Sequence, residues 1–438
     1  MARIASLIRR AWAHAGFKKY FKNAGWMFGT KLFTMAVSFL ATLYVTRALG
    51  PTNYGQLSYA VSFVALFGFL ASLGTEIILY RDLVRFPERR PSLLGTVLAI
   101  RLAAGAAAAA LAIGIGWLLS TDDVSTLLIC ILASAFVLNS FQIIVYDFQA
   151  RVDPVGPSVV AAGISLLLNA LKVWLVLTGH GVIYVALLSL LESILYALCY
   201  TYIYVRRTRT SPLSWRFDGA YARDVLRDSV PLVVFSAFSI IYARIDQVLI
   251  KHMLDARAVG IYGAAAQVAE LWVFIPGIIL SAVSPAIVQA KGISETLYLR
   301  RLGRVAAGVA VMSVVIAAAV SLLAPWIISL LYGAAYLSGT EVLRVYVWGF
   351  VGTALGTVIT QYFVTENDRY LLTVFAIAPT VLNVVLNIIW IPSYGIVGAA
   401  YATLISYSAV PLMLFAFPRT RAMLAAMRDA LRTSDARA

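Results

Sequence analysis

The sequence predicts an all-α polytopic membrane protein with about 12 transmembrane helices. Hydrophobic residues make up 61% of the 438 positions and charged residues only 13%, whereas a soluble domain carries about 25% charged residues. The apolar residues also fall into long runs, close to the ~20 residues that a helix needs to cross the hydrocarbon core. Barrel strands would instead be short and alternate between apolar and polar residues. Composition therefore favours helical membrane spans.

Twelve apolar segments follow one another along the chain, six in each half. They cover residues 24–48, 55–80, 92–119, 123–150, 157–178, 182–205, 229–252, 258–287, 303–331, 341–365, 370–391 and 396–416. Two six-helix bundles are therefore expected at 24–205 and 229–416, joined by a polar cytoplasmic linker at 206–228. A basic amphipathic segment at 1–23 and a basic cytoplasmic tail at 417–438 complete the predicted organisation.

The loop charges predict an orientation. If the N-terminus is inside, basic residues crowd the segments assigned to the cytoplasm, and the other side holds only Arg47, Lys251 and Arg257. An excess of Lys and Arg marks cytoplasmic loops, so both termini are predicted in the cytoplasm. This asymmetry also accounts for most of the net charge of +15. Anionic membrane lipid is thus the expected partner of the basic residues, and nucleic-acid binding is not needed to explain them.

The two halves repeat one another. Leu49 and Gly55 recur 205 positions later as Leu254 and Gly260, and Gly181 recurs 214 positions later as Gly395. An even number of helices in each half makes the repeats parallel, related by a pseudo-two-fold axis along the membrane normal. In transporters with such repeats the substrate site is expected at the repeat interface.

Three motifs resemble the polysaccharide and O-antigen exporters of the multidrug/oligosaccharidyl-lipid/polysaccharide (MOP) superfamily. They are TRALGPTNYG at 46–55, IDQ at 245–247 with VGIY at 259–262, and LNVVLNIIWIPSYGIVGAAYAT at 382–403. The resemblance covers essentially the whole chain. It implies a V-shaped pair of bundles in the bacterial inner membrane that flips undecaprenyl-diphosphate-linked oligosaccharides by alternating access. It also implies a role in O-antigen, capsule or exopolysaccharide synthesis, with the polysaccharide polymerase machinery as a partner.

Basic residues inside the apolar spans are the candidate substrate site. A diphosphate-linked glycan needs fixed cations along a watery path, and each cation costs about 2.5–3.5 kcal/mol at a helix centre. Lys31 and Arg244 are predicted to face such a path. Lys251 continues it on the same helix face as Arg244, and Arg47 continues it in the first half. The alternatives are snorkelling for Lys31 and an ion pair for Arg244. Interhelical pairing or snorkelling is expected for Arg101, Lys172 and Arg344.

Acidic residues inside the spans have two explanations. Glu76, Asp246 and Glu270 balance the cations, or they titrate in proton- or sodium-coupled transport. No metal and no cofactor is expected. Aromatic residues near the outer span ends belong to an interfacial belt or stack on sugar rings; Tyr54 and Tyr262 are examples.

Two other functions fit the sequence less well. A cation-coupled multidrug exporter of the same superfamily would need membrane carboxylates for organic cations, but the first span has Lys31 and no acid. A membrane enzyme acting on the outer face would need sizeable outer loops that carry catalytic groups. The predicted outer loops are short, such as residues 121–124 and 178–181. A transporter is therefore predicted rather than an enzyme.

Overall fold

The computed structural model describes residues 15–119 and 122–435, and all regular structure in these residues is helical. The helices are α1 Ala15–Ala65, α2 Gly68–Ser72, α3 Thr75–Arg85, α4 Arg90–Leu118, α5 Asp123–Asn139, α6 Ile143–Ala150, α7 Val155–Leu177, α8 Val182–Thr208, α9 Gly219–Met253, α10 Ala256–Glu270, α11 Phe274–Ile293, α12 Glu295–Tyr332, α13 Gly339–Thr365, α14 Arg369–Leu412 and α15 Pro418–Asp435. The predicted fold class is confirmed.

Ten helical stretches among the described residues are long and apolar enough to cross a membrane. The sequence predicts about twelve spans, because at two points it places a loop between neighbouring spans. In the structure helix lies directly on both sides of these two points. Gly50 in α1 has φ 74°, and Gly395 in α14 has φ 61°. Glycine adopts positive φ without the steric cost that other residues meet. The backbone is therefore not helical at either glycine, and in both α1 and α14 two helical segments meet at a kink between neighbouring predicted spans.

The second and eighth predicted spans are interrupted. The second divides into the end of α1, the short helix α2 and α3, and the eighth divides into α10 and α11. Pro325, which could have split the ninth span, lies inside the continuous helix α12. At the N-terminus α1 begins at Ala15 and runs without a break into the first span. Residues 1–14 of the predicted amphipathic segment lie outside the described residues.

Residues 15–49 and 63–237 form one compact unit, called unit 1. One of its core clusters includes Leu79, Leu94 and Phe148, all fully buried. Part of the predicted linker packs on this unit, because Val225 belongs to the same cluster. The backbone N–H of Arg216 also donates to the carbonyl of Pro91 at 3.1 Å.

Residues 50–62 and 238–435 form the other compact unit, called unit 2. Its core contains Tyr298 and Phe363 from α12 and α13. The tail helix α15 packs on the same core through Met423 and Ala430. Arg419 at the start of α15 also pairs with Asp368 at 2.7 Å. The basic tail therefore packs on unit 2 as far as Ala430.

A reciprocal glycine contact lies inside unit 2, where the end of α1 meets α10. A Cβ atom on Gly55 would collide with the carbonyl of Ala256, and a Cβ on Gly260 would collide with the carbonyl of Pro51. Pro51 and Ala256 are 205 positions apart, as are the two glycines. The repeat register is thus visible as a close backbone contact between matching residues.

Candidate functional site

A buried carboxylate lies at the centre of a polar cluster in unit 2. Asp246 on α9 is only 4% exposed and accepts a hydrogen bond from the hydroxyl of Tyr262 on α10. The Tyr262 oxygen lies 3.5 Å from the hydroxyl of Thr403 on α14. A buried polar group is tolerated when its hydrogen bonds are made. Three helices therefore converge on one satisfied carboxylate, which we call the Asp246 cluster.

The next residue of α9 extends the polar contacts to α1. The side-chain oxygen of Gln247 accepts hydrogen bonds from Ser58 at 2.6 Å and from Ser62 at 2.9 Å. Both serines lie beyond the bend at Gly50. The polar face of α9 thus packs on the α1 segment that belongs to unit 2.

Arg244 and Glu270 form an ion pair beside this cluster. The guanidinium and the carboxylate are 3.6 Å apart, and the side chains are 36% and 33% exposed. Tyr346 on α13 also donates to Glu270 at 3.3 Å. The ion pair predicted as the alternative for Arg244 is present. A third of the side chain remains accessible, so the guanidinium can still meet an anionic ligand.

Lys251 lies further along α9 and is 8% exposed. Its ammonium is 5.9 Å from the centre of the Tyr59 ring, within range of a cation–π interaction. The hydroxyl of Tyr59 lies 3.1 Å from His252 Nε2. Lys251 is therefore packed against an aromatic neighbour inside unit 2, and little of its side chain is open to a ligand.

Lys31 on α1 is exposed and lines a cavity of about 250 Å³ in unit 1. The same cavity is lined by Thr34, Gln149 and Ser158. Among the described residues, Lys31 makes no ion pair. Arg47, further along α1, is also exposed. Lys31 therefore combines an exposed side chain with a place on the wall of a cavity.

The remaining membrane charges of unit 1 are paired between helices. Arg101 on α4 pairs with Glu76 on α3 at 2.8 Å. Lys172 on α7 pairs with Glu192 on α8 at 3.1 Å. In unit 2, by contrast, Arg344 is exposed and pairs locally with Glu341 three residues earlier in the chain.

The predicted site residues fall into two groups. Unit 2 brings Arg244, Asp246 and Glu270 together and holds Lys251 two turns along α9. Unit 1 holds Lys31, Arg47 and Glu76. Within the described part of the chain, no group of three His, Cys, Asp or Glu residues could hold a metal ion.

Sequence reasoning missed the hydrogen-bonding role of two tyrosines. Tyr262 is fully buried, so it belongs neither to an interfacial belt nor to a sugar-stacking surface. Tyr346 is 4% exposed and reaches Glu270. The available signal was chemical: an acid inside an apolar span needs a donor, and a tyrosine in a neighbouring span can supply one.

Comparison with known families identifies the chain. Residues 20–291 match the family model described as "Polysaccharide biosynthesis protein", which is more than half of the sequence. The chain belongs to the polysaccharide biosynthesis protein family. Residues 231–389 also match the MatE family model. No curated protein matches the sequence.

Solved structures extend the family assignment to a fold. Lipid II flippase MurJ in an inward closed conformation matches with TM-score 0.71 and 17% identity, covering 92% of this chain and 90% of that one. An inward-facing multidrug resistance MATE transporter of the MOP superfamily matches with TM-score 0.67 and 15% identity, covering 91% of this chain and 99% of that one. A MOP superfamily transporter from Pyrococcus furiosus Vc1, described as having a binding pocket of reverse polarity, matches with TM-score 0.63 and 15% identity. The match covers 94% of this chain and 96% of that one.

These structural similarities assign the chain to the MOP fold, which consists of two helical bundles. The family resemblance that the sequence motifs indicated is confirmed by the family match and the fold together. This member of the polysaccharide biosynthesis protein family is thus a multi-pass membrane protein with the fold of MOP-superfamily transporters.

Proposed function

We propose that the protein flips undecaprenyl-diphosphate-linked oligosaccharides across the bacterial inner membrane by alternating access. The translocated units would serve O-antigen, capsule or exopolysaccharide synthesis. The observation that carries the proposal is the polysaccharide biosynthesis family match over residues 20–291. The fold likeness to a lipid II flippase supports it. Both termini are proposed to lie in the cytoplasm, with inner-leaflet anionic lipids and the polysaccharide polymerase machinery as partners.

The open cations support an anionic substrate. Lys31 is exposed on the wall of a cavity in unit 1, and Arg244 keeps about a third of its side chain accessible beside Glu270. A cation in an apolar span is costly unless it faces water or a partner. A diphosphate is such a partner, and it must be held while the glycan leaves one aqueous side for the other. Lys31, Arg47 and Arg244 are the proposed substrate-binding cations, and Lys251, predicted with them, is largely buried against Tyr59.

The three predicted acids differ in the partners that they contact. Glu76 and Glu270 neutralise Arg101 and Arg244, so charge balance accounts for both. Asp246 makes no ion pair with any described residue and is held by the Tyr262 hydroxyl instead. Among the three acids, Asp246 is therefore the proposed residue for proton or sodium coupling.

A multidrug exporter is the second candidate, favoured by the MatE match over residues 231–389. An exporter of organic cations needs accessible carboxylates. Asp246 is buried, and Glu270 is paired with Arg244. Lys31, by contrast, is an exposed cation that makes no ion pair with any described residue. The charges of the described residues therefore favour the flippase.

Complementation of a bacterial strain that lacks its polysaccharide flippase tests the proposal. Wild type, Lys31→Ala and Arg244→Ala would be compared at matched membrane levels, with surface polysaccharide as the readout. Wild type is expected to restore the polysaccharide and both variants to reduce it strongly. Arg344→Ala is the matched control, because it removes an exposed arginine whose partner lies on the same helix.

A charge-neutral variant separates substrate binding from folding. Arg244→Ala leaves Glu270 without its cation, whereas Arg244→Gln combined with Glu270→Gln removes both charges of the pair. Loss of export in the double variant, at normal membrane levels, assigns the arginine to the substrate. Full export by both alanine variants would contradict the cation assignment. Resistance to cationic dyes without polysaccharide rescue would favour the multidrug exporter.

A further inference from the structure

A second polar cavity lies inside unit 1 and shares no lining residue with the Lys31 cavity. Its volume is about 250 Å³. Two breaks in the helices border it. The left-handed residues Leu73 and Gly74 separate α2 from α3, and the 3-10 turn Ser140–Gln142 separates α5 from α6. Discontinuous helices near the middle of the membrane are typical of ligand sites in transporters.

Helix geometry puts this cavity near the bilayer midplane. Helix α4 begins at Arg90, in the arginine-rich turn expected at the inner surface, and Arg101 lies eleven residues further on. At about 1.5 Å per residue this corresponds to about 17 Å, roughly half of a hydrocarbon core about 30 Å thick. Polar groups at this depth need partners that the bilayer cannot supply.

Arg101 supplies the charged wall of the cavity. It is 4% exposed, its Nε donates to the Thr75 hydroxyl at 2.7 Å, and its Nη2 donates to Glu76 at 2.8 Å. The guanidinium carbon also lies 5.6 Å from the centre of the Tyr146 ring. Glu76 remains 35% exposed. The pair is electrically neutral, and the two side chains still offer donor and acceptor atoms to the cavity.

Other residues that line the cavity carry polar groups without protein partners among the described residues. The Ser140 side chain is 2% exposed, and its hydroxyl has no hydrogen-bond partner among the described residues. The amides of Asn139 and Gln142 line the same cavity and make no hydrogen bond with any described residue. A buried hydroxyl without a partner destabilises the fold, so its presence in a polar cavity points to a ligand.

We propose that this cavity, the Arg101 cavity, binds one sugar ring of the transported glycan through its hydroxyls. The lining residues include both donors and acceptors, and each sugar hydroxyl can act as both. The planar Arg101 and Glu76 groups suit neighbouring hydroxyls, while Phe136 and Tyr146 offer apolar surface to the ring. A phosphate would instead need excess positive charge, which Glu76 cancels. The inference rests on the proposed flippase function and adds a place where the glycan is recognised.

Saturation-transfer NMR on the purified full-length protein in nanodiscs tests this site. The probes are methyl glycosides of hexoses, N-acetylhexosamines and hexuronic acids, which contain sugar hydroxyls but no diphosphate. At least one glycoside is expected to bind wild type. Ser140→Ala and Asn139→Ala are each expected to weaken its binding about three- to tenfold, the usual effect of one lost hydrogen bond. Ser134→Ala is the matched control and should leave glycoside binding unchanged, because Ser134 lies on α5 but does not line the cavity.

Thermal unfolding provides the second readout. Ser140→Ala removes a buried hydroxyl that bonds no described residue, so the variant is expected to melt at or above the wild-type temperature while it binds glycoside more weakly. A purely structural role for Ser140 would instead lower the melting temperature and leave binding unchanged. The proposal is overturned if no glycoside binds wild type, or if binding survives both substitutions. Complementation is scored separately, so failure of the sugar site and failure of the flippase proposal are distinguishable.

Discussion

The hydroxyl of Tyr262 is the donor that allows Asp246 to be buried. Tyr262→Phe keeps the ring in place but removes the hydrogen bond between the two side chains. Hydrogen bonds to charged groups contribute about 1.5–3 kcal/mol, so the variant is expected to unfold at a clearly lower temperature in detergent. Tyr394→Phe is the control, because Tyr394 is 64% exposed. Equal melting temperatures for the two variants would contradict the assigned role.

Asp218 is a surface residue with a pH-dependent role. It caps α9 by accepting from the backbone N–H groups of Tyr221 and Ala220, and Arg89 pairs with it at 3.0 Å. These contacts, the Tyr221 N–H foremost, lower the pKa of the Asp218 carboxyl below its ordinary value. A lowered pKa in the folded state stabilises the fold above the ordinary pKa of about 3.9, and this stabilisation is lost as the pH falls through the folded-state pKa.

Substitution of Asp218 should therefore change the pH profile of stability. Asp218→Asn is expected to lower the melting temperature at neutral pH, because the ion pair with Arg89 is lost. It should also flatten the fall in melting temperature between about pH 5 and pH 3. The check is thermal unfolding of both proteins across that range. Asp123→Asn, at the start of α5, serves as the control.

Residue identity alone predicted some of the polar contacts and missed others. Arg244 and Glu270 were both predicted as site residues, and an ion pair was one stated outcome, because charges in apolar spans seek partners. The depth of Lys251 was not predictable, since its packing on Tyr59 joins positions 192 residues apart. The same holds for Tyr262 and Thr403. Contacts between distant segments depend on helix packing that a single sequence does not display.

At the scale of elements, the crossing of α1 and α10 depends on glycine. A Cβ on Gly260 would collide with the backbone carbonyl of Pro51, and backbone cannot move aside as a flexible side chain can. Overpacking of this kind costs about 1–3 kcal/mol, so Gly260→Ala is expected to lower the melting temperature and the membrane yield.

A second glycine provides the matched control for that crossing. Gly308 lies in α12, and a Cβ there would meet no atom within 4 Å. Gly308→Ala should raise the melting temperature slightly, because alanine is favoured over glycine in a helix by about 1 kcal/mol. If Gly260→Ala behaves like Gly308→Ala, the close crossing is wrong.

Element boundaries show how far the sequence pattern reached. Hydrophobic length located every membrane helix, since that property depends on local composition. It correctly separated spans at Gly50 and Gly395, where the backbone is not helical and two helices meet at a kink. The breaks at Leu73 and at Ser140–Gln142 were missed. These breaks carry no proline, so hydropathy gives no signal for them.

At the scale of the whole molecule, the charge asymmetry predicts how the chain crosses the membrane. Helix α8 separates an outer turn near Thr178 from the basic segment that contains Ser211. Its 27 residues span about 40 Å, more than the ~30 Å hydrocarbon core. The two positions must therefore lie on opposite sides, and the excess of arginine after α8 assigns Ser211 to the cytoplasm.

Cysteine accessibility in intact cells measures this orientation directly. In a background with Cys130→Ala and Cys199→Ala, a membrane-impermeant maleimide is expected to label Thr178→Cys in intact cells. Ser211→Cys should react only after the inner membrane is permeabilised. Both positions are exposed in unit 1, so unequal labelling reports sidedness and not burial. The reverse pattern would place the arginines outside the cytoplasm, where inner-leaflet anionic lipid could no longer account for the excess positive charge.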